Sequence, residues 1–278
     1  MMHTFHKIDI DGRILAALEA GMGKPTVVLE AGMGDSFNIW QHVQPTLASV
    51  TRTISYDRAG LGQSQFAGDR RTCQDCVQDL ATLLQALNVN TPIIFVGHSF
   101  GGFIGRLFSH TFPDKVCGLV LLDSPHENVF PELQDIYRTC ELPAQDITEP
   151  DWLTLTRHER AQLLDPNYPD NILNSEGIRL AECYAQMRAI PNLGDLPITV
   201  MSAGKRRYCR DQGADGVVAE VEAQLERTWR EYQTRLLELS TTTTHIIATQ
   251  SQHYIHEDEP QLVVDAVTNI ISQIQPKK

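Results

Sequence analysis

Ile93-Ile94-Phe95-Val96-Gly97-His98-Ser99-Phe100-Gly101-Gly102 decides the fold. Four consecutive β-branched or aromatic apolar residues suit a strand buried on both faces. They run straight into Gly97-x-Ser99-x-Gly101, and residues 100–112 continue with helical spacing. A strand that turns so abruptly into a helix brings backbone atoms close together, and the flanking glycines remove the Cβ atoms that would collide there. The apex of such a turn lifts the Ser99 hydroxyl clear of the sheet. The helix behind it aims backbone N–H groups at any negative charge that develops beside it. Ser99 is therefore the expected nucleophile. The competing reading is a tight Gly-rich turn with no chemistry.

Outward from this segment, the same grammar repeats. Short apolar runs at Thr26–Leu29, Thr53–Tyr56, Ile93–Val96, Leu119–Leu122, Ile198–Met201 and His245–Ala248 read as buried strands. Helices are expected near 36–48, 72–87, 100–112, 215–239 and 259–274, which is the connection length of right-handed crossovers in a parallel sheet. Residues 4–19 read as a hairpin around Asp11-Gly12, a dipeptide suited to a type I′ turn. The alternation fails between Ser124 and Pro191, where Pro125, Pro131, Pro143, Pro150, Pro166 and Pro169 punctuate short helical pieces. The expected architecture is α/β: a mostly parallel central sheet flanked by helices, built from 1–124 and 192–278, with 125–191 as an inserted helical lid.

Composition narrows the partners. Of the 278 residues, 42% are hydrophobic and 21% charged, as in an ordinary globular protein. The net charge of -12 would repel a polyphosphate backbone, which argues against nucleic acid. The start Met1-Met2-His3-Thr4-Phe5-His6-Lys7 lacks the basic and apolar regions of a secretory signal, and no run approaches the ~20 apolar residues that span a bilayer. A cytoplasmic protein without membrane insertion is the expectation. The six cysteines are too sparse for a disulfide framework. Cys73 and Cys76 fall on the stripe Cys73, Cys76, Val77, Leu80, Leu84, Leu87, so they read as buried small hydrophobes. No metal-ligand spacing and no phosphate-binding glycine loop appears, so neither a metal nor another cofactor is expected. The oligomeric state stays open.

Five blocks carry a family resemblance: Leu29-Glu30-Ala31-Gly32-Met33-Gly34, Tyr56-Asp57-Arg58-Ala59-Gly60-Leu61-Gly62-Gln63-Ser64, the Ser99 turn, Leu121-Leu122-Asp123 and Ser251-Gln252-His253. Together they resemble the α/β-hydrolase superfamily of esterases, lipases and peptidases over nearly the whole chain. The resemblance implies that His253, just after the last strand and before Glu257-Asp258-Glu259-Pro260, is the general base. His98 would point away from the nucleophile, His245 begins a strand, and His256 and His126 read as loop residues. The triad acid commonly follows the strand at 198–201, but Gly204-Lys205-Arg206-Arg207 contains none there. Asp211 and Asp215 lie farther along. The other family location is the end of the preceding strand, which favours Asp123, and all three keep the order Ser, acid, His. The oxyanion hole would use the N–H groups of Met33 and Phe100, although Ala31-Gly32 stands where His-Gly is frequent. Asp57 and Arg58 match a D-R-x-G-x-G-x-S turn and read as structural.

These residues imply hydrolysis of an ester-like bond in a small apolar or mixed molecule. Phe130, Trp152, Tyr184 and Met187 are candidates for the pocket wall, or equally for the core of the lid. Amide, lactone, thioester, carbon–carbon and perhydrolytic chemistry run on the same triad. Dehalogenases and epoxide hydrolases of this fold place Asp at the nucleophile position, which Ser99 does not fit. A non-catalytic ligand-binding receptor is the alternative from another class.

Overall fold

A computed structural model describes residues 3–68, 70–139, 176–205 and 216–274. Its eight strands are β1 (His3–Ile10), β2 (Arg13–Ala20), β3 (Thr26–Glu30), β4 (Thr53–Tyr56), β5 (Ile93–His98), β6 (Val116–Leu122), β7 (Ile198–Ala203) and β8 (Thr243–Ala248). They form one sheet in the order β1-β2-β4-β3-β5-β6-β7-β8. Every pairing from β4 to β8 is parallel, while β1 with β2 and β2 with β4 are antiparallel. In the hairpin, Ile10 pairs with Arg13 and leaves Asp11 and Gly12 as a two-residue turn at φ 51° and 88°. Both angles are positive, as a type I′ turn requires.

Side chains alternate across the sheet and fill two layers. On one face Val28, Ile54, Phe95, Leu119 and Val200 pack under the helices Cys73–Ala86 and Gly101–Thr111. On the other, Val27, Leu29, Ile94, Val96, Val120 and Met201 meet Trp40 and the helix Pro260–Ile274. Cys73 and Cys76 are buried on the stripe expected of them, beside Val77, Leu80 and Leu84. Thr72 and Asp75 close a capping box that starts this helix.

Two elements differ from their sequence reading. Residues 36–48 form a 3-10 turn, Phe37–His42, and then a short α-helix, Gln44–Leu47, instead of one helix. Pro45 lies at its start and cannot donate the bond that would continue the preceding turn. β8 is a sheet edge, not a strand buried on both faces: within it only Ala248 is buried, and Ile247 is 49% exposed.

After β6 the chain leaves the sheet, and among the described residues it next joins it at β7. The helix Val129–Thr139 opens this excursion and packs on the helix Gly216–Arg235, where the Tyr232 hydroxyl donates to Glu132 at 2.6 Å. The helix Leu180–Arg188 closes it against Gly101–Thr111 and Cys73–Ala86. Among the described residues no helix is long and apolar enough to cross a membrane.

Candidate active site

Ser99 sits at the apex between β5 and the helix Gly101–Thr111, partly exposed, with φ 50°. A left-handed backbone at a non-glycine residue costs about 1–3 kcal/mol and persists only where the surroundings impose it. Here the Ser99 N–H donates to Leu122 O at 2.9 Å, and Gly102 N–H donates to Ser99 O at 2.9 Å. The glycines let the layers approach. A Cβ on Gly97 would lie 2.5 Å from Gly101 O, and one on Gly101 would lie 2.5 Å from Glu30 O. Phe100 and the end of β3 are thereby brought together, so the loop carrying Met33 flanks the Ser99 turn.

His253 stands on the loop after β8. Its Nδ1 lies 2.7 Å from Asp123 Oδ2, with His253 20% exposed and Asp123 fully buried. A ring that donates Nδ1–H to a carboxylate leaves Nε2 as its proton acceptor. Asp123 also has positive φ, 42°, directly after β6. Its other oxygen, Oδ1, accepts from Trp229 Nε1 at 3.1 Å and from Ala203 N–H at 3.3 Å. The acidic segment after His253 supports this loop. Asp258 Oδ2 accepts from Gln252 N–H at 2.8 Å, and Glu259 Oε2 from Gln250 N–H at 2.9 Å and Ser251 Oγ at 2.6 Å. Asp211 and Asp215 lie outside the described residues.

The neighbouring histidines have structural places. His98 is buried and donates from Nε2 to the His253 carbonyl at 3.1 Å, with the two rings 4.6 Å apart. His256 is not a loop residue as its sequence position implies: it lies in the helix Ile255–Asp258, fully buried against Trp40 and His98. Burial, together with His253 and His42, lowers its pKa to about 3, so the ring is neutral. His245 sits inside β8 and contacts Ser202 Oγ at 2.8 Å.

The β3 side contains a charge network that the sequence does not announce. Arg58 is 2% exposed and bonds Glu30 Oε1 at 2.7 Å and both oxygens of Glu176, at 2.5 and 2.8 Å. Its remaining donors reach Ala31 O at 2.6 Å and Gly32 O at 2.5 Å. Burial alone would lower the Arg58 pKa, but Glu176 and Glu30 hold it well above its ordinary value. Burial pushes Glu30, the last residue of β3, up to about 7 against the pull of Arg58, and Asp35, on the loop after β3, up to about 6. Glu30 could have been suspected as a carboxylate ending an apolar run, although its partner Arg58 lies 28 residues away. Glu176, 118 residues from Arg58, left no local signal. Asp57 is structural, its two oxygens accepting from Phe37 N–H at 2.8 Å and Gln63 N–H at 2.9 Å.

Of the pocket candidates, Tyr184 and Met187 are buried in the core, and Phe130 is partly buried, stacked on Tyr184 and edge-on to Trp229. Trp152 lies outside the described residues. Among the described residues no group of three or more His, Cys, Asp or Glu could hold a metal ion.

Comparison with known proteins agrees with this architecture. The chain is 27% identical over 250 residues to the protein YqjL of Bacillus subtilis, covering 90% of this chain and 85% of that one. It is 35% identical over 124 residues to the putative carbamate hydrolase RutD of Serratia proteamaculans, covering 44% of each. A thermophilic esterase from Thermogutta terrifontis shares the fold at a TM-score of 0.62 and 17% identity, covering 99% of both chains. Residues 25–203 match the family model described as alpha/beta hydrolase fold. With that match spanning most of the chain and with the sheet order and strand–turn–helix at Ser99 in place, the chain belongs to the α/β-hydrolase fold family.

Proposed function

We propose that the protein is a serine hydrolase that cleaves a carboxylic ester, or a related acyl bond, in a small apolar or mixed substrate through an acyl-enzyme. The observation that carries this is the His253–Asp123 pair at 2.7 Å, placed with Ser99 on the same edge of the sheet. Ser99 Oγ attacks the acyl carbonyl carbon while His253 Nε2 takes its proton. The N–H groups of Met33 and Phe100 hold the oxyanion. The carbonyl re-forms as the carbon–oxygen bond to the alcohol breaks, and His253 gives the alcohol its proton. Water then attacks the acyl-enzyme with His253 as base, releasing the acid and restoring Ser99.

In this reading residues 125–191 form a lid that shapes the acyl and alcohol pockets, with Phe130 and Trp229 near its root, and the enzyme works in the cytoplasm. The likeness to a putative carbamate hydrolase supports a second reading, since the same groups could attack a carbamate carbonyl.

The test is turnover of a chain-length series of p-nitrophenyl esters and matched carbamates by wild type and Ser99→Ala, with labelling by an organophosphonate. Wild type should be labelled and active, with a preferred chain length, and Ser99→Ala should be neither. Full activity in Ser99→Ala would sink the mechanism. Absence of both turnover and labelling in wild type would favour a non-catalytic binding protein.

A further inference from the structure

We infer that Arg58 and Glu176 act as one positioning unit for the Met33 N–H, tying the oxyanion donor to the returning end of the segment inserted between β6 and β7. The inference rests on the proposed serine hydrolysis.

Arg58 has five N–H donors, and the contacts around it account for all five. Nε and one Nη2 hydrogen go to Glu176, one Nη1 hydrogen goes to Glu30, and the remaining two go to the carbonyls of Ala31 and Gly32. The contact with Gly32 matters most. Gly32 C=O and Met33 N–H belong to one trans peptide unit, so they point in opposite directions from the same plane. Fixing the oxygen on Arg58 at 2.5 Å therefore fixes the direction in which Met33 N–H points. A cation on that oxygen also polarises the amide and makes its N–H a stronger donor. The next peptide is held too, because Gly34 N–H donates to Glu176 Oε1 at 3.0 Å. Both sides of Met33 are thus clamped by the same ion pair.

Glu176 belongs to the returning limb of the insertion, which is stitched to the core. Arg71 N–H donates to Gly177 O at 2.8 Å, and Arg179 N–H donates to Arg71 O at 2.7 Å. A displacement of this limb would take from Arg58 its bidentate partner and from Gly34 its acceptor. Arg58 and Glu176 are 2% and 1% exposed, where an ion pair is little screened and geometrically demanding. Their position beside the donor loop gives that burial a catalytic purpose: preorganised donors stabilise charge without rearranging during the reaction.

The experiment measures the second-order rate of phosphonylation of Ser99 by a fluorophosphonate, and kcat and KM on the best p-nitrophenyl ester. Wild type, Glu176→Gln and Arg58→Lys are compared well below each protein's melting temperature. Glu176→Gln keeps the shape and one acceptor but removes the charge. Arg58→Lys keeps the charge but offers three donors, without the planar fork, for the five contacts to two carbonyls and two carboxylates. Losing one oxyanion donor costs roughly 100- to 1,000-fold, so a misdirected one should lower labelling and kcat by about 10- to 100-fold with KM nearly unchanged. Unchanged labelling and kcat in both variants would overturn the inference. So would variants that merely melt earlier or fail to fold, since the network would then serve stability alone. A wild type that is never labelled would remove the hydrolase reading and this inference with it, an outcome distinct from a labelled wild type with indifferent variants.

Discussion

The Trp229 indole N–H donates to Asp123 Oδ1 at 3.1 Å across 106 residues of sequence, while His253 takes the other oxygen of the same carboxylate. An acid held at both oxygens cannot rotate, so the imidazole it orients is fixed as well. Replacing Trp229 by Phe keeps the ring and removes the donor. It should lower kcat on a p-nitrophenyl ester with little change in KM, and cost about 2 kcal/mol in urea unfolding for a hydrogen bond to a charged group. Intact kcat would show that Ala203 N–H alone suffices.

The choice among three acids is tested by amide substitution. Asp123→Asn should lower kcat by about 10,000-fold, because the amide favours the wrong histidine tautomer. Asp211→Asn and Asp215→Asn should leave kcat unchanged. A large loss in either of the latter, with Asp123→Asn active, would move the triad acid to Asp211 or Asp215.

His256 makes acid stability a test of burial. Both of its ring nitrogens are buried without a hydrogen-bond partner among the described residues, and its pKa is lowered to about 3 by burial, His253 and His42. The unfolded chain therefore binds a proton below about pH 6.5 that the folded chain refuses. Stability from this site is complete above that pH and is lost progressively as pH falls toward 3. Glu30 and Asp35, raised by burial, tilt the curve the opposite way, so the comparison needs a variant. His256→Phe should be more stable than wild type at pH 5 by about 2 kcal/mol relative to the difference at pH 7.5. Parallel curves for the two proteins in urea would refute this.

Two glycines separate packing from backbone freedom. A Cβ on Gly97 would meet the Gly101 carbonyl at 2.5 Å, whereas Gly12, at φ 88°, has open space around it. Gly97→Ala should cost about 1–3 kcal/mol by overpacking and impair labelling of Ser99. Gly12→Ala should cost about 1 kcal/mol in hairpin strain and leave labelling unchanged. Thermal unfolding and phosphonate labelling measure both.

The buried thiols should be silent. Burial raises the Cys73 pKa well above its usual value and pushes Cys76 up to about 12. Neither should react with iodoacetamide at pH 8 until denaturant is added, as mass spectrometry of the alkylated peptides would show. Rapid native modification would mean that the helix Cys73–Ala86 opens locally.

Much of this arrangement was legible in the chain. Thr53–Tyr56 is a strand with the bounds its apolar run implied, and the Asp11-Gly12 turn sits where its dipeptide placed it. Such features are local: period, β-branching and turn chemistry act within a few residues. The Ser99 turn was equally local, since glycine spacing and the flanking strand and helix lie in one segment. The misread pieces had competing local signals. Residues 36–48 carry helical spacing across Pro45, and His245–Ala248 is apolar enough for a central strand yet occupies the edge.

The sequence by itself determined the order of strands and helices, the Ser99 turn and the position of His253 after the last strand. Only the tertiary structure decided that Asp123 meets His253, that Trp229 holds Asp123, and that Glu176 and Glu30 enclose Arg58. The reason is distance along the chain. A buried carboxylate or guanidinium must find its partners wherever packing brings them, and 130 residues between Asp123 and His253 leave no periodicity to read.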